Sequence, residues 1–187
     1  MHREKVAGMV GAILLLLLAS PVVSEAATVE SMTLDQMAKR AEAIFIGKVV
    51  GSRADFNAQR NRIYTYVTLE VERYLKGGGG EREMTIRLWG GQVGPYTSYV
   101  PGTPQFIDGE EVLLFCSGSR ARVPTLLGLS LGKFTITQDD VGERILKRDI
   151  SGLVLANYRT DSRPVGTPPT RYRLSEVEAR IQSALAN

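Results

Sequence analysis

Two sets of residues alternate strictly between Ile63 and Glu72, and this alternation restricts the fold of the chain more than any other feature. The two sets are Ile63, Thr65, Val67, Leu69 and Val71, and Tyr64, Tyr66, Thr68, Glu70 and Glu72. Because successive side chains of a strand point to opposite faces, this period of two predicts a strand with one buried face. A strand from Arg62 to Lys76 would exceed the usual length of about 3–10 residues, so we expect it to bend or coil, as strands do in small closed sheets.

Further strand-like segments follow one another along the chain, and two short helices flank them. Apolar alternation or β-branched residues predict strands at 44–50, 84–88, 112–116, 127–131, 134–136 and 145–146. Capping boxes at Thr33–Gln36 and Ser175–Glu178 predict where the two helices begin. The predicted apolar helix faces are Leu34, Met37, Ala38 and Ala41, and Val177, Ile181, Ala184 and Leu185. Strands in succession with short connections favour a closed or sandwiched β fold.

The first 26 residues have the order of a secretory signal peptide. Two cations precede an apolar run from Val6 to Ala19, Pro21 follows it, and small residues at Ser24 and Ala26 form a cleavage pattern. The run is shorter than the roughly 20 residues that span a membrane. We therefore expect an exported protein, periplasmic or extracellular, with no membrane span after cleavage; the alternative is an uncleaved N-terminal anchor.

Histidine and cysteine usage restricts the chemistry. The only histidine, His2, lies in the predicted signal peptide, so the mature chain has no imidazole for a Ser-His-Asp triad, a histidine base or the usual zinc sites. The only cysteine, Cys116, shares a predicted strand face with Val112 and Leu114, which indicates a buried small side chain rather than a reactive thiol. No catalytic residue, metal site or cofactor is predicted, and a non-enzymatic protein is favoured.

Basic and aromatic residues raise the question of nucleic-acid binding. The arginines in the predicted loops are Arg53, Arg60, Arg62, Arg120 and Arg122, and the aromatic residues on neighbouring strands are Tyr64, Tyr66 and Trp89. Such a face can bind single strands or sugars on an OB-fold. However, the net charge of the chain is only +3, and Glu70 and Glu72 share the face. We interpret these side chains as solvated surface and predict no nucleic-acid partner.

Three segments between Ala41 and Phe115 resemble the netrin-like module, the OB-fold domain of the tissue inhibitors of metalloproteinases. They are residues 41–49 (AEAIFIGKV), 66–77 (YVTLEVERYLKG) and 106–115 (FIDGEEVLLF). The whole chain also resembles uncharacterised exported bacterial proteins that share a Gly-Gly-x-Val-Gly loop, a Pro-Gly-x-Pro segment and a Gly-Lys-Phe strand. The resemblance implies an OB-like closed five-stranded barrel plus an extra hairpin, within an all-β domain over residues 27–187. The barrel core would span about 43–148, and a C-terminal loop and helix would span 149–187.

The chain departs from the inhibitors at the position that matters for inhibition. In that family the mature chain begins with a cysteine that binds the protease zinc, whereas here the predicted mature chain begins with Ala27-Thr28-Val29. No inhibitory residue has a counterpart in this chain. A shared fold does not by itself transfer the function.

The long segment Gly90–Gln105 is the candidate contact surface. It is rich in glycine and proline, has no helical period, and lacks the following helix that a phosphate-binding loop requires. The residues predicted to contact a partner are Gln92, Tyr96, Tyr99 and Val100. We expect a non-enzymatic binding protein whose partner is an exported or envelope protein. The alternative for the segment itself is that it folds back and buries its tyrosines as core.

Two other functions stay open. An inhibitor or accessory partner of an exported metalloprotease would use the same segment. A histidine-independent hydrolase would use carboxylates or a Ser/Lys pair, and the adjacent acidic residues available to it are Asp108, Glu110, Glu111, Asp139 and Asp140. These residues lack EF-hand spacing, so they do not predict a cation site.

Overall fold

A computed structural model describes residues 26–118, 123–157, 163–164 and 167–186. The predicted signal peptide lies outside these residues, apart from Ala26. The two α-helices are α1 (Leu34–Arg40) and α2 (Leu174–Ala186). A 3-10 helix spans Leu129–Gly132, so the strand predicted at 127–131 is wrong; Gly128 before it takes a left-handed conformation (φ 69°) that turns the chain. The strands are β1 (Ala27–Glu30), β2 (Ala43–Phe56), β3 (Ile63–Lys76), β4 (Glu83–Trp89), β5 (Gly91–Val93), β6 (Tyr96–Ser98), β7 (Glu111–Ser117), β8 (Thr125–Leu126), β9 (Lys133–Gln138), β10 (Arg144–Lys147), β11 (Leu153–Asn157), β12 (Arg163–Pro164) and β13 (Arg171–Arg173).

The chain is mostly β with two helices, which confirms the fold class predicted from the sequence. The largest sheet has the order β13-β10-β9-β7-β2-β3-β4, with β8 paired to β7, and every pairing in it is antiparallel. A second sheet has the order β1-β11-β12, and β5 pairs with β6 to form a third. The large sheet therefore contains eight of the described strands.

The predicted closed barrel is not supported. Among the described residues, β4 forms no strand pairing with β8, so the large sheet has open edges. The two strands nevertheless approach each other, because the backbone N–H of Arg87 in β4 donates to the carbonyl of Pro124 next to β8 (2.7 Å). The strand β8 is only two residues long, and a proline, which has no N–H to donate, precedes it. The edges thus meet at a seam with one backbone hydrogen bond instead of a ladder.

The two longest strands bend, as the length of β3 predicted. Both β2 and β3 have 14 residues, and the register between them shifts three times, at Ile44/Phe45, Ile46/Gly47 and Val49/Gly51. Each shift leaves one residue of one strand unpaired, which is the pattern of a β-bulge, and a bulge bends the strand and increases its twist. The bulges curl the sheet around its inner face.

Hydrophobic cores cover both faces of the sheet, and alternate residues of β2 and β7 point into each. The inner core of the curl contains Phe45, Val49, Val67, Leu69, Ile86, Leu88, Val112, Leu114, Cys116 and Leu126. The outer core, under the helices, includes Met37, Ile44, Ile46, Leu113, Phe115, Phe134, Leu146, Val177 and Ile181. Cys116 is buried, as its strand position predicted.

The helices pack side by side against the outer core. The capping box predicted for α1 is confirmed, because the Thr33 hydroxyl accepts from the Gln36 N–H (3.2 Å) and the Gln36 side chain accepts from the Thr33 N–H (2.9 Å). The box predicted at Ser175 is wrong, since α2 already begins at Leu174. Leu174 takes a buried place on that helix, whereas Leu185, which was predicted to be buried, is exposed.

The strand β1 pairs in parallel with β11, so the start of the described chain lies beside its last quarter. No helix among the described residues has the length and hydropathy needed to cross a membrane.

Candidate functional site

The segment after β4 contains a small hairpin that the sequence did not predict. Strands β5 and β6 pair from Gly91↔Ser98 to Val93↔Tyr96, and Gly94 takes a left-handed conformation (φ 57°) in the turn between them. Glycine adopts this conformation without steric cost. The segment Gly90–Gln105, in which the sequence predicted no strand, therefore contains a hairpin at the edge of the curled sheet.

Backbone contacts hold the base of this hairpin to β3. The N–H of Gly90 donates to the carbonyl of Ile63 (3.0 Å), and the Thr65 hydroxyl donates to the carbonyl of Gly90 (2.8 Å). Gly90 itself is buried with φ 85°, and a Cβ at this position would lie 2.5 Å from the carbonyl oxygen of Ser98. The hairpin therefore depends on glycine where it leaves the sheet.

An ion pair holds the far end of the segment. The Lys133 ammonium donates to the Glu110 carboxylate (2.8 and 2.9 Å) and to the carbonyl of Gln105 (2.6 Å), and it lies 4.5 Å from the ring centroid of Phe106. The Thr135 hydroxyl donates to the same carboxylate (2.5 Å). Both charged side chains are only 12% exposed. Hydrogen bonds to charged groups are stronger than neutral ones, so this network fixes residues 105–110 against β9.

Two surface cavities lie on either side of residues 99–105. The first, of about 330 Å³, is bounded by the hairpin, the N-terminal end of β3 and the C-terminal end of β4. Its lining includes Gln92, Tyr99 and Val100. The second, of about 400 Å³, has a polar wall that includes Lys133 and Asp149. Tyr99 lines both cavities, so it forms part of the ridge between them.

The structure brings three of the four predicted contact residues together. Gln92, Tyr99 and Val100 share the first cavity, whereas Tyr96 lies outside its lining and packs edge-on against Phe56 (centroids 5.8 Å apart). Tyr96 is 63% exposed and Tyr99 is 70% exposed. The alternative in which the segment hides these two rings as core is therefore wrong.

A second surface was only partly anticipated from the sequence. Three guanidinium groups lie over three aromatic rings: Arg53 over Tyr66 (5.2 Å), Arg62 over Trp89 (5.5 Å) and Arg87 over Tyr64 (4.7 Å). We call these six residues the arginine–aromatic surface; Arg120 and Arg122 lie outside the described residues. The alternation placed Tyr64 and Tyr66 on one face, but the role of Arg87 was missed because it depends on the register between β3 and β4, where Arg87 lies opposite Tyr66.

Three of the five acidic residues considered for catalysis or metal binding, Glu110, Glu111 and Asp139, have structural partners. The Asp139 carboxylate accepts from the N–H groups of Val141 and Glu143 and so closes the turn between β9 and β10, while Glu110 is paired with Lys133. In the described part of the chain, no three His, Cys, Asp or Glu residues group together as a metal site would require. Burial raises the pKa of Cys116 to about 12, which keeps this side chain a neutral thiol at physiological pH.

Neither a known family model nor a curated protein sequence matches this chain.

Proposed function

We propose that this protein is an exported, non-enzymatic binding protein that contacts a partner protein through the 90–105 segment. The observation that carries the proposal is the exposure of Tyr96 and Tyr99 on a segment whose two ends are fixed. An aromatic ring held in place before binding loses little conformational entropy when a partner covers it. Tyrosine is also common among the residues that dominate binding energy at protein interfaces.

The cavities beside Tyr99 support the same surface. An aromatic or aliphatic side chain of a partner that enters the first cavity would contact Val100 and the polar side chain of Gln92. This combination of an apolar wall and a few polar groups suits recognition. The partner is expected to be another exported or envelope protein, because the predicted signal peptide directs this chain out of the cytoplasm.

Inhibition of an exported metalloprotease is a narrower form of the proposal. Residues Ala27–Glu30 pair with β11, so this stretch is held in a sheet. An inhibitor built on this fold would therefore act through the 90–105 segment and not through its N-terminal residues.

The test is capture of the partner from the envelope of the producing cell by the tagged, exported protein. We expect Tyr96→Ala and Tyr99→Ala together to abolish capture. The melting temperature should change by no more than a few degrees, because both rings are largely exposed. The matched control is Val141→Ala, which removes an exposed apolar side chain (86%) at a distant turn.

The proposal fails if the double tyrosine variant captures the partner as well as the unaltered protein does. It also fails if each tyrosine substitution costs about 3–5 kcal/mol of stability, as loss of a core aromatic ring would. The hydrolase alternative is tested by screening the protein against peptide, ester and glycoside substrates. A turnover that is lost when one carboxylate is substituted would favour it.

A further inference from the structure

We propose that the arginine–aromatic surface recognises a short acidic segment of the partner protein, beside the contact made by the 90–105 segment. This inference rests on the proposed function and names the chemistry of the partner. It depends on four features of the surface: its charge, the stacking of its arginines, its limited length and its position next to the candidate contact site.

The surface carries excess positive charge. Its three arginines face one nearby carboxylate, Asp55, which lies 3.7 Å from the guanidinium of Arg53. In the described part of the chain, no carboxylate forms an ion pair with Arg62 or Arg87. Two planar cations that are held in place and not neutralised provide oriented donors for the carboxylates of a ligand.

The stacking geometry decides which ligands fit. Each of the rings of Tyr64, Tyr66 and Trp89 has a guanidinium over it, and Tyr64 and Trp89 also pack against each other (centroids 5.0 Å apart). Single-stranded nucleic acids bind mainly by stacking bases on free aromatic faces. Because these faces are already covered by arginines, the surface offers N–H donors to an anion and little stacking area to a base or a sugar.

The charge pattern along the strands limits the length of the ligand. Beyond the neutral pair Thr68 and Thr85, the next pair on the same face of the sheet is Glu70 and Glu83, which places two carboxylates side by side. The distance from Tyr66 to Glu70 along the strand is about 13 Å at roughly 3.3 Å per residue. A long polyanion lying along the strands would meet these glutamates, whereas a cluster of a few carboxylates would not.

Trp89 connects the two surfaces. It is 39% exposed, it lies under Arg62, and it also contributes to the lining of the first cavity. A partner that covers Tyr99 would therefore bring its adjoining chain within reach of the arginines. This continuity favours an acidic protein segment over a free polyanion.

The probe for the test is a fluorescein-labelled peptide with a run of Asp and Glu residues between Gly-Ser flanks, and its counterpart with Asn and Gln. Binding to the full exported protein is measured by fluorescence anisotropy at low and at physiological ionic strength. We expect the acidic peptide to bind and Arg62→Gln with Arg87→Gln to weaken it about tenfold or more, because two charge-assisted contacts are lost. Arg87→Lys should weaken binding severalfold although it keeps the charge, since an ammonium lacks the planar fork.

The matched control is Arg82→Gln, which removes an exposed arginine at the other end of β4. It should change the affinity by less than about twofold, allowing for a weak long-range effect. The inference is overturned if Arg82→Gln weakens binding as much as the double variant does, or if no saturable binding of the acidic peptide is seen. Tighter binding of oligo(dT) or of a sulfated oligosaccharide would also overturn it.

Capture of the partner separates this inference from the proposed function. If Tyr96→Ala with Tyr99→Ala abolishes capture and the arginine variant leaves it unchanged, the acidic-segment inference fails and the proposed function stands. If neither variant affects capture, both fail. Circular dichroism and the melting temperature of the arginine variant show whether its fold is intact.

Discussion

At Cys116, burial determines the chemistry of the only thiol in the chain. The side chain lies in the inner core, and removal from water disfavours its thiolate, which raises the pKa to about 12. We predict that a thiol reagent such as DTNB does not label the folded protein at pH 8, where an ordinary cysteine reacts within minutes, and labels it stoichiometrically in denaturant. Full labelling without denaturant would show that the inner core opens readily.

At Glu72, an ion pair makes stability depend on pH. Hydrogen bonds from Arg144 (3.1 and 2.9 Å) lower the pKa of this carboxyl below its ordinary value. Because the pKa of Glu72 is lower in the folded state than in the unfolded state, the ion pair stabilises the fold at pH values above the unfolded-state pKa. This stabilisation is lost as the pH falls through the folded-state pKa. We expect Glu72→Gln to destabilise the protein at pH 7 by about 0.5 kcal/mol, given the half-exposed position of the carboxyl, and to have no effect at pH 2. Urea denaturation at the two pH values measures the difference, with Asp108→Asn, at an exposed carboxyl in a turn, as the control.

At the scale of elements, the hairpin β5–β6 depends on how the chain leaves β4. A methyl group at Gly90 would meet the carbonyl of Ser98 and require an unfavourable positive φ, whereas a methyl group at Gly94 has nothing within 4 Å. We predict that Gly90→Ala costs about 2–4 kcal/mol and weakens partner capture, because the hairpin must shift. Gly94→Ala should cost only about 1 kcal/mol, the ordinary cost of a positive φ. Similar losses in both variants, measured by urea denaturation, would mean that the hairpin moves freely at its base.

Elements whose signal is local could be predicted from the sequence, and elements that depend on distant partners could not. The alternation predicted β3, and the Thr33–Gln36 pattern predicted the start of α1. By contrast, β1 has only four residues and no alternation of its own, and its strand character comes from pairing with β11. The closed barrel implied by the resemblance is not supported, because closure depends on β8, a two-residue strand next to a proline.

The candidate site shows the same division. The exposure of Tyr96 and Tyr99 was consistent with a glycine- and proline-rich segment, and the structure confirms it. The network that fixes this segment joins Glu110 to Lys133 and Thr135, which lie on another strand, so no local pattern revealed it. Stacking in the arginine–aromatic surface likewise depends on the register of three strands.

At the scale of the whole molecule, the seam between β4 and β8 is the weakest closure of the curled sheet. One backbone hydrogen bond joins Arg87 to Pro124 there, whereas β2 and β3 pair over twelve register positions from Ile44↔Lys76 to Phe56↔Ile63. We predict that the Arg87 amide exchanges its hydrogen faster, by at least about tenfold, than the amides inside the β2–β3 ladder. Hydrogen exchange followed by NMR measures both rates in one sample, and equal protection would contradict an open sheet.

The parallel pairing of β1 with β11 affects when the protein can finish folding. Ala27 pairs with Leu153, more than a hundred residues further along the chain. Contacts between such distant segments are slow to form, because a long loop must close before they contribute any stability. If the chain is exported as proposed and emerges N-terminal end first, β1 leaves the channel long before its partner strand β11 does. It would then be among the last of the described strands to pair, and until then its edge would be open to other chains or to a chaperone.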